Sequence, residues 1–136
     1  MENQTKFRID GTKINSLDDF FREISQLLFP EVAEWKYNFD GLDDMLSGGF
    51  GSPEDGCVIF WDNHKVSRTA LGYEETIRVL EQRLLKSHST ARNDLIKRIR
   101  MAERREGPTI FDDIIELFDR HRPEENQKYS VDLRLR

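Results

Sequence analysis

The apolar positions change period several times along the chain, and each change marks an element. Lys6–Asp10 alternates, with Phe7 and Ile9 on one side, and predicts a short strand ended by Gly11. Leu17, Phe20, Phe21, Ile24, Leu27 and Leu28 then recur at helical spacing and predict an amphipathic helix. Ser16 and Asp19 stand at capping-box spacing at its start, and Phe29-Pro30 stops it. Glu31–Tyr37 reads as a loop carrying Trp35 and Tyr37, and Gly51–Gly56 as a turn-rich connector. Cys57–Trp61 is a continuous apolar run, which predicts a strand covered on both faces. A strand, helices and then an apolar strand together predict a parallel crossover.

The second half is mostly helical in its spacing. Tyr73, Ile77, Leu80 and Leu84 form one stripe, and Leu95, Ile96 and Ile99 mark another helix, narrow in its apolar face and basic outside it. Phe111, Ile114, Ile115 and Phe118 predict a last helix, with Thr109 and Asp112 as its cap and Pro123 as its end. Tyr129, Val131, Leu133 and Leu135 alternate with polar residues and predict a final strand with one polar face. The fold class expected is α/β, with residues 1–136 forming one domain.

The stretch that departs from ordinary patterning is Asn38–Gly51. Read as a helix, it places Phe39, Leu42, Met45 and Leu46 on one side and Asp40, Asp43, Asp44 and Ser47 on the other. Gly48 and Gly49 end it, because glycine tolerates the left-handed conformation that closes many helices. Like charges at this spacing cost a helix about 0.2–0.5 kcal/mol per pair. Asp43 and Asp44 also approach the helix C-terminus, where the macrodipole opposes them. No Lys or Arg occurs between Tyr37 and Cys57, so any neutralising group comes from elsewhere. Tyr37 and Phe50 flank the acids, and the face is suited to meet something positive.

Charge is segregated along the chain. Glu31–Gly56 has seven acids against one base, Lys36, whereas Arg83–Arg105 has eight bases against Asp94 and Glu103. The net charge of −5 argues against nucleic acid as a direct partner, because phosphate binding needs a basic footprint. No apolar stretch approaches the length of a membrane span, and Met1–Thr5 does not open a secretory signal, so a cytoplasmic protein is expected. Cys57 is the one cysteine, which excludes an internal disulfide and a cysteine-based zinc cluster, and its place in an apolar strand predicts a buried thiol. His64, His88 and His121 lack metal-ligand spacing and are expected at the surface. Neither a phosphate loop nor a nucleophile elbow occurs, and no cofactor is implied. Asp40, Asp43 and Asp44 supply three hard oxygen ligands, so a Mg²⁺-dependent enzyme stands as an alternative, although no second element adds ligands.

Gly11, Ile14, Ser16, Asp19 and Phe20, then Leu28-Phe29-Pro30, then Asn38, Asp40, Leu42, Asp44, Leu46 and Gly48, and finally Val58–Trp61 form a pattern that resembles the barstar family, the intracellular inhibitors of barnase-type ribonucleases. The similarity continues more loosely through Ile110–Leu135. It implies a three-stranded parallel sheet with helices packed against it. It also implies that the second helix and the loop before it enter a nuclease active site, their carboxylates taking positions meant for RNA phosphates. By motif position Asp44 matches the family's dominant carboxylate and Asp40 its neighbour. Asn38, Ser47 and Gly48 match further contact positions, and Trp35 matches a tyrosine of the binding loop.

The chain departs from that pattern in five places. Asp43 stands where the family commonly has an aromatic residue, the loop from Pro30 to Asn38 is longer, and Lys36 replaces a glycine. Arg120 reverses the sign of an acidic contact, and an insertion near Arg83–Pro108 holds the basic helix. The expected partner is therefore a basic ribonuclease or toxin nuclease domain other than barnase. The partner-binding residues expected are Trp35, Tyr37, Asn38, Asp40, Asp43, Asp44, Ser47, Gly48 and Phe50. A non-inhibitory interaction module with another basic partner remains the second reading.

Overall fold

The computed structural model describes residues 4–125 and 128–136; Met1–Asn3, part of the segment read for a secretory signal, lie outside it. Strand β1 (Thr5–Asp10) leads through a short 3₁₀ turn into helix α1 (Leu17–Leu28) and then α2 (Phe39–Leu46). Strand β2 (Cys57–Asp62) is followed by α3 (His64–Ala70), α4 (Tyr73–Lys86), α5 (Ser89–Glu103) and α6 (Ile110–Asp119), and β3 (Val131–Leu135) closes the chain. The sheet order is β1-β2-β3 and both pairings are parallel, with Ile9 beside Trp61 and Trp61 beside Leu135. The α/β fold and its three-stranded parallel sheet are therefore as the sequence pattern and the resemblance imply.

The most apolar strand lies in the middle. Cys57, Ile59 and Trp61 point into the core with Ile9 and Val131 beside them, and α1, α2 and α6 cover that face with Phe20, Phe21, Ile24, Leu42, Leu46, Ile114 and Phe118. Phe20 stacks on Trp61 with centroids 5.2 Å apart. The indole N–H of Trp61 donates to Ser67 Oγ at 2.8 Å, and that hydroxyl donates on to the Gly11 carbonyl at 2.9 Å, so the polar atom of the largest core residue is satisfied. Burial raises the Cys57 thiol to about 12, in keeping with the expected inert cysteine.

The other face of β2 is covered as well, as the continuous apolar run predicts. Val58 is buried and Phe60 half-buried, and two arginines that are themselves exposed lie over Phe60. The Arg136 guanidinium lies 4.2 Å from the Phe60 ring centroid and Arg134 5.9 Å, while Arg136 pairs with Asp62 at 2.8 Å. Long cationic stems cover apolar surface well while their heads stay in water, and the Phe60 side of the strand is closed in that way.

Capping is more reciprocal at one end than at the other. Thr109 and Asp112 form a full capping box on α6. At α1 the Ser16 hydroxyl accepts from the Asp19 N–H, but the Asp19 carboxylate accepts from the Asn15 N–H at 2.9 Å and not from that of Ser16. The next orphan donor, the Leu17 N–H, goes to the Glu75 carboxylate of α4 at 2.8 Å. Glu75 is buried and is held bidentately by Arg78. The buried face of α4 is accordingly Glu75, Thr76, Val79 and Leu80, while Tyr73, Ile77 and Leu84 of the predicted stripe are only half-buried. Helix α3 has no periodic stripe and was not expected. Tyr129 is not part of the last strand: its φ is 57°, and β3 begins two residues later.

Candidate functional site

Helix α2 is set by three local devices. The Asn38 side chain caps it, accepting from the Gly41 N–H at 2.7 Å. The Asn38 N–H itself donates to the Lys36 carbonyl at 2.8 Å, so the loop folds tightly back on the helix start. That carbonyl lies where a Cβ of residue 41 would be, which leaves glycine as the residue that fits. Leu42, Met45 and Leu46 are buried, and Asp40, Asp44 and Ser47 are exposed, so the helix presents the acidic side that its spacing predicts.

The three carboxylates are not equivalent. Asp43 Oδ1 accepts from His121 Nε2 at 2.7 Å, and Arg120 lies 3.8 Å from the same oxygen. His121 is only 8% exposed, which corrects its expected place at the surface. The neutralising groups missing from the local sequence thus come from just beyond α6, far along the chain. Asp44 has no hydrogen bond or ion pair to its side chain among the described residues, nor does Asp40. Two carboxylates project unpaired, and the third ties α2 to the end of α6.

Trp35 is the anchor of the loop before the helix. Its N–H donates to Ser25 Oγ at 2.9 Å, and its ring meets Phe21 and Phe29 edge-on at 5.9 and 6.0 Å. Tyr37 lies 4.8 Å from it and is 43% exposed. Phe50, at 41%, is the corresponding exposed aromatic after the helix. The Ser47 hydroxyl donates to the Asp43 carbonyl at 3.0 Å. Gly48 has φ 108°, and the Tyr129 ring occupies the space a side chain there would need. Asn38, Trp35 and Gly48 therefore shape the site, while Tyr37, Asp40, Asp44, Ser47 and Phe50 are open to a partner.

Two features adjoin this face that motif matching alone did not reveal. Glu116 of α6 is exposed, and Arg120 approaches both it (3.9 Å) and Asp43 (3.8 Å). An acid thus remains one turn before Arg120, visible in the sequence only as an i,i+4 pair. Phe39, Asp113, Glu116, Leu117 and Arg120 line a shallow depression of about 200 Å³ between α2 and α6. On the other side of Phe39, the Arg83 guanidinium of α4 lies over its ring at 5.4 Å. Arg98 of α5 pairs with Asp113 at 2.7 Å, although burial raises the Asp113 pKa against that pairing.

No three His, Cys, Asp or Glu side chains among the described residues are placed to hold a metal ion, so Asp40, Asp43 and Asp44 do not converge as a three-carboxylate site. Likewise no described helix is long and apolar enough to cross a membrane.

The family model for barstar (barnase inhibitor) matches residues 4–111. The chain belongs to the barstar family. Its members as a class inhibit barnase-type ribonucleases and are not themselves enzymes. The matched span includes β1, the loop, α2 and β2, and it ends at the start of α6, short of Glu116, Arg120 and His121. No curated protein matches the chain.

Proposed function

We propose that this barstar-family protein is a cytoplasmic immunity or antitoxin protein that plugs the active site of a specific ribonuclease with α2 and the loop before it. The observation that carries the reading is the pair of exposed, unpaired carboxylates Asp40 and Asp44 on a helix whose opposite side is buried. A nuclease site that binds RNA is lined with cationic donors, and a carboxylate that meets an arginine bidentately forms one of the stronger contacts available. Asp44 carries the main contact and Asp40 the second. Tyr37, Ser47 and Phe50 complete the surface, with Glu116 as an additional acid from α6. Asp43 acts from behind, holding the helix in place through His121. The segment near Arg83–Pro108 is an insertion into a single barstar-like domain; Arg98 serves inside the protein by pairing with Asp113, while Lys86, Arg92, Lys97, Arg100, Arg104 and Arg105 are exposed.

The test is titration of barnase-type ribonucleases with the protein, with Asp44→Ala alongside. Stoichiometric inhibition that Asp44→Ala weakens by more than about thirtyfold supports the reading, because a hot-spot residue contributes at least about 2 kcal/mol; a carboxylate of the barnase–barstar pair is a known example well above that threshold, and its value belongs to that pair. Full inhibition by a folded Asp44→Ala variant would refute the assignment of the site. Binding to a basic partner without inhibition would favour the interaction-module reading.

A further inference from the structure

A groove of about 330 Å³ runs between α1, the loop and α4. Tyr37 and Asn38, which belong to the candidate site, form one of its walls, and Arg83 and Lys86 of α4 form another. The groove therefore continues the acidic surface but adds the cations Arg83 and Lys86, with Asp18 as an acid in its lining. Arg78 also lines it, yet that guanidinium is already held by Glu75.

Arg83 is the unusual residue here. It is half-buried, its guanidinium carbon lies 5.4 Å from the Phe39 ring centroid, and its N–H groups make no hydrogen bond or ion pair among the described residues. Asp113 and Asp40 are close enough to favour the cation, Arg98 opposes it, and burial outweighs them and lowers its pKa. A guanidinium offers five donors in a fixed fork, and leaving them without acceptors in a part-buried place is unfavourable. The Phe39 ring attracts the cation and so keeps the guanidinium beside the groove.

We infer that Arg83 and its groove receive an aspartate or glutamate side chain from the rim of the partner ribonuclease's active site. The inference rests on the proposed inhibitory reading and extends it: the interface is bipolar, with Asp40 and Asp44 meeting cations and Arg83 meeting an anion. A carboxylate matches the fork bidentately. An RNA phosphate fits less well, because a polyanion reaching Arg83 would pass the exposed acids Asp40, Asp44 and Asp18. Such a pairing restricts the inhibitor to ribonucleases that carry an acid at that place, since one lacking it would bury Arg83 without a partner. Arg83 is thus a specificity-determining residue.

The experiment uses the full chain and the ribonuclease it inhibits most tightly among a panel of barnase-type enzymes. Binding is measured for the wild type and for Arg83→Gln, Arg83→Lys and Asp44→Ala, with thermal unfolding of each. The expected result is a loss of about tenfold to a hundredfold for Arg83→Gln, the range of a hydrogen bond to a charged group, with unfolding unchanged and part of the affinity kept by Arg83→Lys. Changing each acid on the rim of the ribonuclease site to its amide should reveal one position at which Arg83→Gln no longer matters. Unchanged binding by Arg83→Gln, with Asp44→Ala still defective, overturns this inference and leaves the inhibitory reading standing. A loss coupled to no acidic residue of the ribonuclease makes Arg83 structural and overturns it as well. Failure to inhibit any enzyme of the panel removes the reading and this inference together.

Discussion

Replacing Asp43 and Asp44 by alanine, one at a time, should change stability in opposite directions although the two residues are adjacent. Asp43→Ala removes the acceptor of a ring N–H that is buried at the end of α6, and it releases Arg120 at 3.8 Å. A hydrogen bond to a charged group is worth about 1.5–3 kcal/mol, and a buried donor left alone costs in the same range. The Asp43 side chain is 43% exposed, so screening moves the expected loss to about 1–2 kcal/mol. Asp44→Ala removes no contact, and it relieves a like-charge neighbour at i−4, worth about 0.2–0.5 kcal/mol in favour of the variant. Urea unfolding of both variants, followed by circular dichroism with the m-value checked for constancy, measures the difference. The cycle Asp43→Ala, His121→Ala and the double variant isolates the pair, and its coupling energy should account for most of the Asp43 loss. Equal stability of the two single variants, or a coupling energy near zero, would refute the division of the acidic face into a tethered and a free part.

Two further outcomes follow from local geometry. Gly48→Ala should destabilise by about 1–3 kcal/mol, the cost of a left-handed non-glycine residue, with more from the collision with Tyr129; Tyr129→Ala should recover only the second part in a double-variant denaturation series. Asp19 is held below its ordinary 3.8 chiefly by the Asn15 N–H, so its contribution to stability is present above 3.8 and is lost as pH falls through the lowered value. Denaturation of wild type and Asp19→Asn across acidic pH should show a gap that is constant above 3.8 and closes below it.

What the sequence made legible is what depends on near neighbours. The stripe Leu17–Leu28 marked the first helix, because burial on one side imposes a period, and the unbroken apolar run Cys57–Trp61 marked the central strand, because burial on both faces removes one. The acidic face was readable for the same reason, and so was the capping by Thr109. The misreadings share another cause. His121, Glu75 and Tyr129 are polar or amphipathic residues whose partners lie far along the chain: Asp43, the Leu17 N–H, and the space above Gly48. Nothing in the spacing around these residues announces such a partner. Helix α3 escaped notice because only Ser67 of its seven residues is buried, so it leaves no apolar stripe.

The distribution of charge takes its meaning from those long-range pairings. In the sequence an acidic block and a basic block face each other, which suggests either mutual neutralisation or two separate binding surfaces. In the fold the basic helix spends Arg98 on Asp113, directs Arg92 to the Leu84 carbonyl, and leaves Asp40 and Asp44 without an ion pair among the described residues. Had α5 lain across α2, the acids would be satisfied internally and unavailable to any partner. His121 and Arg120 instead serve Asp43, the one acid turned toward the body of the protein. The helix thus keeps enough internal neutralisation to hold its position and leaves two carboxylates without an ion pair among the described residues, with the Arg83 charge near Asp40 but not bonded to it. That unequal sharing of counter-charge, more than the number of acids, suits α2 to act as an inhibitory surface.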